Sequence, residues 1–286
     1  MNTSLCVGVV CDIDYIRSIC LSNYYYAIKN LFQNVRIVNS ALDLNGVDIV
    51  FVGNDHYDKH KQVCQNDEFI AACNARDIKV CIYTYENILD PIYPHNIIGQ
   101  NKYSSYKHFY QRVIDPSDAI ALNKKVAGCL VSRHYKDVIP VPANKHNKCV
   151  FIGCMYDRRR ALIEELKHTI DIDVIDRQVE TWQEYMSIMA SYRFVLSPYS
   201  FNHYGLHLKY YEALLVNSIP VHQITDNTLE HYTHEAKFED VIYFKTANEV
   251  AGLLANCKYE KSHSNRWLED ELIEFFKEFN IVDLSI

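Results

Sequence analysis

Lys209 and Glu212 stand three residues apart where an apolar-periodic run begins, so a cation and a carboxylate share one face of a predicted helix. That pair suits a ligand bearing phosphates and sugar hydroxyls, the ammonium meeting a diphosphate and the carboxylate a ribose. The plainer alternative is a solvated i,i+3 ion pair on an ordinary helix. A second turn of phosphate type lies upstream at Phe151-Ile152-Gly153-Cys154-Met155-Tyr156-Asp157-Arg158-Arg159-Arg160. Gly153 lets the backbone approach a ligand, and Arg158 is the candidate diphosphate clamp because a guanidinium binds phosphate bidentately. A solvent-facing basic helix start is its alternative reading. His203, Tyr204 and His207 occupy the loop just before Lys209, where a sugar or phosphate would lie, although histidines there also serve simply as polar surface.

Transfer of a group to a hydroxyl by direct displacement needs a base at a strand's C-terminal end. Asp14 follows the first predicted strand, Asp55 the strand ending at Gly53, and Glu86 the strand ending at Thr84, so each is a candidate. Each acid is equally suited to capping a helix. Tyr15, Tyr83 and Tyr85 are candidates to stack on acceptor sugars or, alternatively, core residues. Asp12-Ile13-Asp14 and Asp171-Ile172-Asp173 are D-x-D strings without neighbouring ligand candidates. His56 to His60 and His203 to His207 have i,i+4 spacing without an evident third ligand. No metal site is assigned, and cationic side chains with helix ends are expected to do a metal's work at the phosphates.

The elements that must position these residues follow from periodicity. Tyr192 to Ser197 is a β-branched and aromatic run stopped by Pro198; Leu208, Tyr211 and Leu215 recur at helical spacing; Asn217-Ser218 ends that helix, and Ile219-Pro220-Val221 starts another strand. A strand, loop, helix, strand unit sets a helix N-terminus beside the C-terminal end of a parallel strand, where open α/β sheets bind anions. The same rhythm runs through the chain. Leu5 to Cys11, Val35 to Val38, Val47 to Val52 and Ile78 to Thr84 read as strands, Tyr15 to Phe32 and Glu68 to Ala75 as helices. Pro91 and Pro94 break the pattern, Gln100 to Gln111 is rich in tyrosine and basic residues, and Asp118 to Leu122 and Cys129 to Ser132 read as short closing strands. After the proline-containing Ile139 to Asn144 come the strands Lys148 to Gly153, Asp171 to Ile175 and Val241 to Phe244. Helices are expected from Tyr156, over Thr181 to Ala190 and Asn248 to Ala255, with an amphipathic one over Asn265 to Phe279.

The string Y-R-F-V-L-S-P … K-x-x-E-A-L-x-x-x-x-I-P-V resembles the donor-binding segment of GT-B glycosyltransferases of the exostosin-like group, and the F-x-G-x-x-x-x-R string at Phe151 to Arg158 is similar to one in the same relatives. The resemblance implies that Lys209 contacts the donor phosphates and Glu212 the donor ribose, while Ser197 and Pro198 end the strand beneath the donor. Members usually carry an A-G pair where this chain has Val216-Asn217, and often arginine at Lys209. The expected fold is α/β, GT-B, with two tandem Rossmann-like domains and a cleft between them. An acceptor-side domain over 1–140, a linker over 141–147, a donor domain over 148–264 and a C-terminal helix over 265–286 are expected. By the resemblance that helix packs back on the N-terminal domain; by its own pattern it packs on the second.

The implied activity is transfer of a hexosyl or pentosyl group from a nucleotide diphosphate sugar, a co-substrate rather than a cofactor, to a glycan or other hydroxyl acceptor. It is expected to be inverting and metal-independent. A catalytically silent sugar- or nucleotide-binding protein is the alternative, with a nucleotide-sugar epimerase or phosphotransferase as a third reading.

Bulk properties agree with these expectations. The 286 residues, 49% of them hydrophobic, suffice for two α/β domains, and a net charge of −7 argues against binding long nucleic acids. No signal-type leader or bilayer-spanning apolar run is evident, so a cytoplasmic location is expected. Ten cysteines without a C-x-x-C pair, Cys6, Cys81, Cys149 and Cys154 among them, read as free buried thiols.

Overall fold

The structure is a computed structural model and describes residues 4–11, 22–53, 58–84, 101–113, 130–176, 179, 181–198, 208–224, 240–261 and 266–282. These belong to two compact units, Met1–Gly128 with Ser132–His134 and Trp267–Ile286, and Cys129–Val131 with Tyr135–Arg266.

The first unit contains β1 (Cys6–Val10), α1 (Asn23–Leu31), β2 (Asn34–Ile37), β3 (Ile49–Val52), α2 (Asp58–Cys64), α3 (Asp67–Ala75), β4 (Lys79–Thr84) and β5 (Phe109–Val113). All five strands are parallel, in the order β2-β1-β3-β4-β5. Every residue of β3 is buried, as a central parallel strand covered on both faces requires. Asn66 caps α3, its Oδ1 accepting from Glu68 N at 2.8 Å and Phe69 N at 3.1 Å. α1 turns Tyr24, Ala27, Ile28 and Leu31 inward. The Tyr24 ring lies so close to Gly53 that a Cβ there would stand 2.2 Å from it, which restricts the position to glycine.

Tyr83 is fully buried, edge-on to Tyr24 at 5.3 Å and to Phe275 at 5.3 Å, so it belongs to the core and is not available to stack on an acceptor sugar. Tyr15 and Tyr85 lie outside the described residues. The helix α8 (Leu268–Glu278) completes this unit, burying Leu268, Leu272, Phe275 and Phe276. Arg112 of β5, itself buried, pairs with Glu271 at 3.2 Å and Glu278 at 2.7 Å. Phe109–Val113, to which the sequence pattern assigns no element, pairs with β4 despite Gln111 and Arg112, because α8 supplies carboxylates for the buried guanidinium.

Leu130 to Ser132 is likewise not the strand expected over Cys129 to Ser132. Side chains take its backbone donors in place of a ladder: Ser132 N donates to Asn23 Oδ1 at 2.7 Å and Arg133 N to Glu269 Oε2 at 3.0 Å, while Ser132 Oγ donates to Glu269 Oε1 at 2.6 Å. The strand expected over Asp118 to Leu122 lies outside the described residues.

The second unit runs β6 (His146–Ile152), α4 (Asp157–Lys167), β7 (Ile172–Ile175), α5 (Trp182–Ala190), β8 (Tyr192–Ser197), α6 (Leu208–Leu215), β9 (Ile219–Gln223), β10 (Ile242–Phe244) and α7 (Ala247–Ala255). Its strands are also parallel, in the order β10-β9-β8-β6-β7, around a core that includes Phe151, Ile163, Leu166, Phe194, Leu196, Val221 and Phe244. Thr181 caps α5 by accepting from Glu184 N at 3.1 Å. At the end of α6, Ser218 N donates to Ala213 O at 2.9 Å and Asn217 N to Leu214 O at 3.1 Å, with Asn217 at φ +56°. This is a Schellman closure, which favours glycine and next asparagine, so Asn217 meets the same backbone demand as the A-G pair of the resembling sequences.

Of the cysteines singled out from sequence, Cys81 and Cys149 are buried, but Cys154 is exposed and Cys6 only partly covered. Cys154 lies past the strand end, where neither sheet nor helix covers it.

Candidate functional site

Each sheet has its first strand second from one edge, with the second strand on one side and the third on the other. The connections from the first and third strands therefore leave in opposite directions, opening a crevice at their C-terminal ends. In the second unit those strands are β6 and β8, and their ends are Gly153 and Ser197-Pro198. In the first they are β1 and β3; Asp14 and Asp55 follow these in sequence but lie outside the described residues, as do Glu86, His203 and His207.

Gly153 has φ +137°, a conformation open to glycine. Its N–H donates to Ile175 O at 3.1 Å, and Met155 N donates to Asp176 Oδ1 at 3.2 Å, which ties the turn to the end of β7. Lys209, in the first turn of α6, reaches over this turn. Its Nζ donates to the Ile152 carbonyl and, at 3.2 Å, to the Tyr185 hydroxyl, and it sits 5.3 Å from the ring centroids of both Phe151 and Tyr185. A side chain at position 153 would place its Cβ 3.5 Å from that ammonium.

Glu212, one turn along α6, is 5% exposed. Its Oε2 accepts from Tyr185 OH at 3.0 Å and its Oε1 from Trp182 Nε1 at 3.4 Å. Tyr185 thus accepts from the ammonium and donates to the carboxylate. This arrangement removes the solvated ion pair that K-x-x-E spacing alone allows. Burial pushes the Lys209 ammonium down to about 8, partly offset by the charge of Glu212. Burial also pushes the Glu212 carboxyl up, opposed by Lys209 and by the hydrogen bonds from Tyr185 and Trp182.

Of the three consecutive arginines, Arg158 and Arg160 are exposed and Arg159 is turned inward. The Arg159 guanidinium lies 5.9 Å from the Phe151 centroid and 5.2 Å from that of Tyr156, and its Nη1 donates to Cys154 O at 3.1 Å. Burial lowers its affinity for the proton. Lys209 and Arg159 therefore share the Phe151 ring, with Glu212 the nearby carboxylate. The structure brings together Gly153, Lys209 and Glu212 of the residues singled out from sequence, while Arg158 is exposed.

Ser197 ends β8 as expected but is 1% exposed, its Oγ 3.1 Å from Nδ1 of His222 on β9. Burial holds that imidazole neutral, pushed down to about 3. Asp171 and Asp173 face Lys148, at 3.1 and 3.6 Å. Among the described residues, no three His, Cys, Asp or Glu side chains converge in a way that suits a metal. The sequence reading missed Arg159, Trp182 and Tyr185. The signal available for the last two was their i,i+3 spacing, which puts two aromatic hydrogen-bond donors on one face of α5.

No protein-family model matches the chain, and no curated protein matches it in sequence. Its structure is similar to that of an alpha-glucosyltransferase solved in complex with UDP and a 13-mer DNA containing an HMU base, with a TM-score of 0.53 and 11% identity over 97% of this chain and 95% of that one. The fold is GT-B. Two Rossmann-like units with the same strand order account for that likeness, and at this identity it speaks to the fold alone. Within the GT-B fold, the turn after β6 and the start of α6 form the candidate site. No helix among the described residues is long and apolar enough to cross a membrane.

Proposed function

We propose that this chain is a glycosyltransferase moving a sugar from a nucleotide diphosphate sugar to a glycan or other hydroxyl acceptor. The observation that carries the reading is the pair of partly desolvated cations, Lys209 and Arg159, gathered on one aromatic ring at the C-terminal ends of β6 and β8. Two cations set against one buried carboxylate favour a bound anion. α4 opens there without a side-chain cap, so its first amides add to the same field. A GT-B neighbour solved with UDP supports a nucleotide as the ligand.

In this reading Lys209 and Arg159 hold the diphosphate and stabilise the charge it gains as the glycosidic carbon–oxygen bond breaks. These fixed cations supply what a divalent metal would, and donor binding is independent of metal. By the exostosin-like resemblance Glu212 accepts from the ribose. Because Tyr185 and Trp182 cover the carboxylate, a ribose hydroxyl takes the place of the Tyr185 phenol there. The acceptor loses its proton to a carboxylate of the first unit, with Asp14 ahead of Asp55 and Glu86, and a direct attack inverts the anomeric carbon. The −7 charge argues against a long nucleic acid as the carrier of the acceptor.

The test is a thermal-shift series with UDP, GDP, CDP and ADP, each with and without EDTA, since a ligand of the folded state raises the melting temperature. One diphosphate is expected to stabilise the wild type regardless of EDTA, and Lys209→Ala or Arg159→Ala to remove the shift. Absence of any nucleotide effect would overturn the donor site and leave the scaffold without this function.

A further inference from the structure

The second unit carries another cavity, of about 500 Å3, lined by residues that include Lys145, Asn147, Arg193, Asn217, Glu260 and Lys261. Lys145 and Asn147 flank the start of β6, Arg193 lies at the start of β8 and Asn217 precedes β9. In a parallel sheet that is the amino-terminal edge, the end opposite Gly153 and Ser197.

The cations here are held in place by neutral groups. Arg193 Nη1 donates to Asn147 Oδ1 at 3.0 Å, Nη2 donates to the Tyr259 carbonyl, and the guanidinium carbon stacks 4.8 Å from the Phe194 centroid. Its Nε is buried and finds no hydrogen-bond partner among the described residues. Lys145 Nζ donates to Val216 O and Ser218 Oγ, both at 2.7 Å, capping the C-terminal end of α6. Burial with no opposing charge pushes that ammonium down to about 8. Lys261 is exposed. Among the described residues no carboxylate pairs with Lys145, Arg193 or Lys261, and the lining contributes a single carboxylate, Glu260, which is also exposed.

A protein of net charge −7 that gathers three cations around one concavity, fixes two of them with backbone carbonyls, an amide oxygen and a hydroxyl, and leaves their charge uncompensated has built the complement of an anion. We propose that this cavity binds a small phosphorylated anion, the phosphate or pyrophosphate group of a low-molecular-weight ligand. Arg193 presents its fixed guanidinium to the phosphate oxygens, Lys145 and Lys261 supply point charges, and the Asn147 and Asn217 amides border the site. Three cations against one carboxylate match a dianion. The site shares no residue with the donor turn and stands whether or not the chain transfers sugars.

The experiment is calorimetric titration of the full chain with inorganic pyrophosphate, inorganic phosphate, sodium chloride and a short single-stranded oligonucleotide, on wild type and on Arg193→Gln, Lys261→Ala and Arg159→Ala. Pyrophosphate also meets the donor-turn cations, so the second cavity is read in an Arg159→Ala background. Pyrophosphate or phosphate should bind the wild type and still bind Arg159→Ala, with that remaining affinity falling about tenfold when Arg193→Gln or Lys261→Ala is added. Lys261 is exposed, so its variant keeps the test open if Arg193→Gln does not fold. Three outcomes would overturn the proposal: no binding by the wild type, binding lost with Arg159 but retained without Arg193 and Lys261, or oligonucleotide binding through Arg193 in place of the small anions.

Discussion

The Tyr185 hydroxyl donates to Glu212 Oε2 at 3.0 Å while accepting from the Lys209 ammonium at 3.2 Å. A buried carboxylate and a partly buried ammonium, set three residues apart on α6, are thus joined through a phenol that α5 supplies. The relay satisfies the carboxylate, fixes the ammonium over the turn at Gly153, and leaves Lys209 and Arg159 as the cations at the strand ends.

Replacing Tyr185 by phenylalanine removes one of the two donors that Glu212 receives while keeping the ring under Lys209. A buried polar group stripped of a partner costs about 1–3 kcal/mol, so Tyr185→Phe should lower the stability of the second unit by that amount in urea unfolding. Glu212→Gln in the same background should restore part of it, because the amide costs less to bury than the carboxylate. Equal stability of Tyr185→Phe and wild type would show that the phenol does not satisfy Glu212.

The pH dependence has a definite sign. The Lys209 ammonium is pushed from an ordinary value of 10.5 down to about 8, so within that window the unfolded chain holds a proton that the folded chain has released. The stability contribution of this group rises with pH across the window, and the penalty for burying its charge is fully present below about 8. Lys145, pushed down to about 8 as well, acts in the same direction. Tyr185, raised well above 10 by burial, acts in the opposite direction at the upper end of this window, because the unfolded phenol loses its proton near 10 while the folded one keeps it. Binding of a nucleoside diphosphate needs the charged ammonium, so its affinity, measured calorimetrically, should weaken from about pH 7 to about pH 9.5. Lys209→Arg should flatten that profile, and a slope retained in Lys209→Arg would move the titration to another group.

The organisation of the second unit was legible because β6, β8, β9 and β10 each carry an apolar run of three or four residues and α6 keeps its period, down to the stop at Asn217-Ser218. β5 was not, because Gln111 and Arg112 are buried polar residues whose reason for burial sits on α8, far along the chain. The candidate site divides in the same way. Lys209, Glu212 and Gly153 announce themselves by local spacing and backbone demand. Which of three adjacent arginines turns inward depends on the exit angle of the chain from β6, which no local pattern carries. The covering of Glu212 by Trp182 and Tyr185 is a contact between helices and was visible only as a face of α5.

That phase of α4 makes a sharp distinction between neighbours. Arg159 lies against Phe151 and Tyr156, whereas Arg158 is exposed. Arg159→Ala should weaken nucleoside diphosphate binding by about tenfold, the scale of one lost charged hydrogen bond, while Arg158→Ala should change it by less than about twofold. Calorimetric titration of the two variants decides the assignment; the reverse order would return the clamp to Arg158.

In the first unit, Arg112 is placed against both Glu271 and Glu278, at 3.2 and 2.7 Å. Removing one member of a buried ion pair strands the other charge, at a cost of about 3–5 kcal/mol, whereas replacing the pair by apolar side chains is often close to neutral. Arg112→Met should therefore destabilise the first unit by that amount, and Arg112→Met with Glu271→Leu should recover most of it. The two tryptophans make the measurement local, since Trp267 precedes α8 in the first unit and Trp182 lies in the second. In a Trp182→Phe background the urea transition reported by Trp267 should move to lower denaturant in Arg112→Met. An unchanged Trp267 transition would mean that the aromatic contacts of Phe275 and Phe276 hold α8 without the ion pairs.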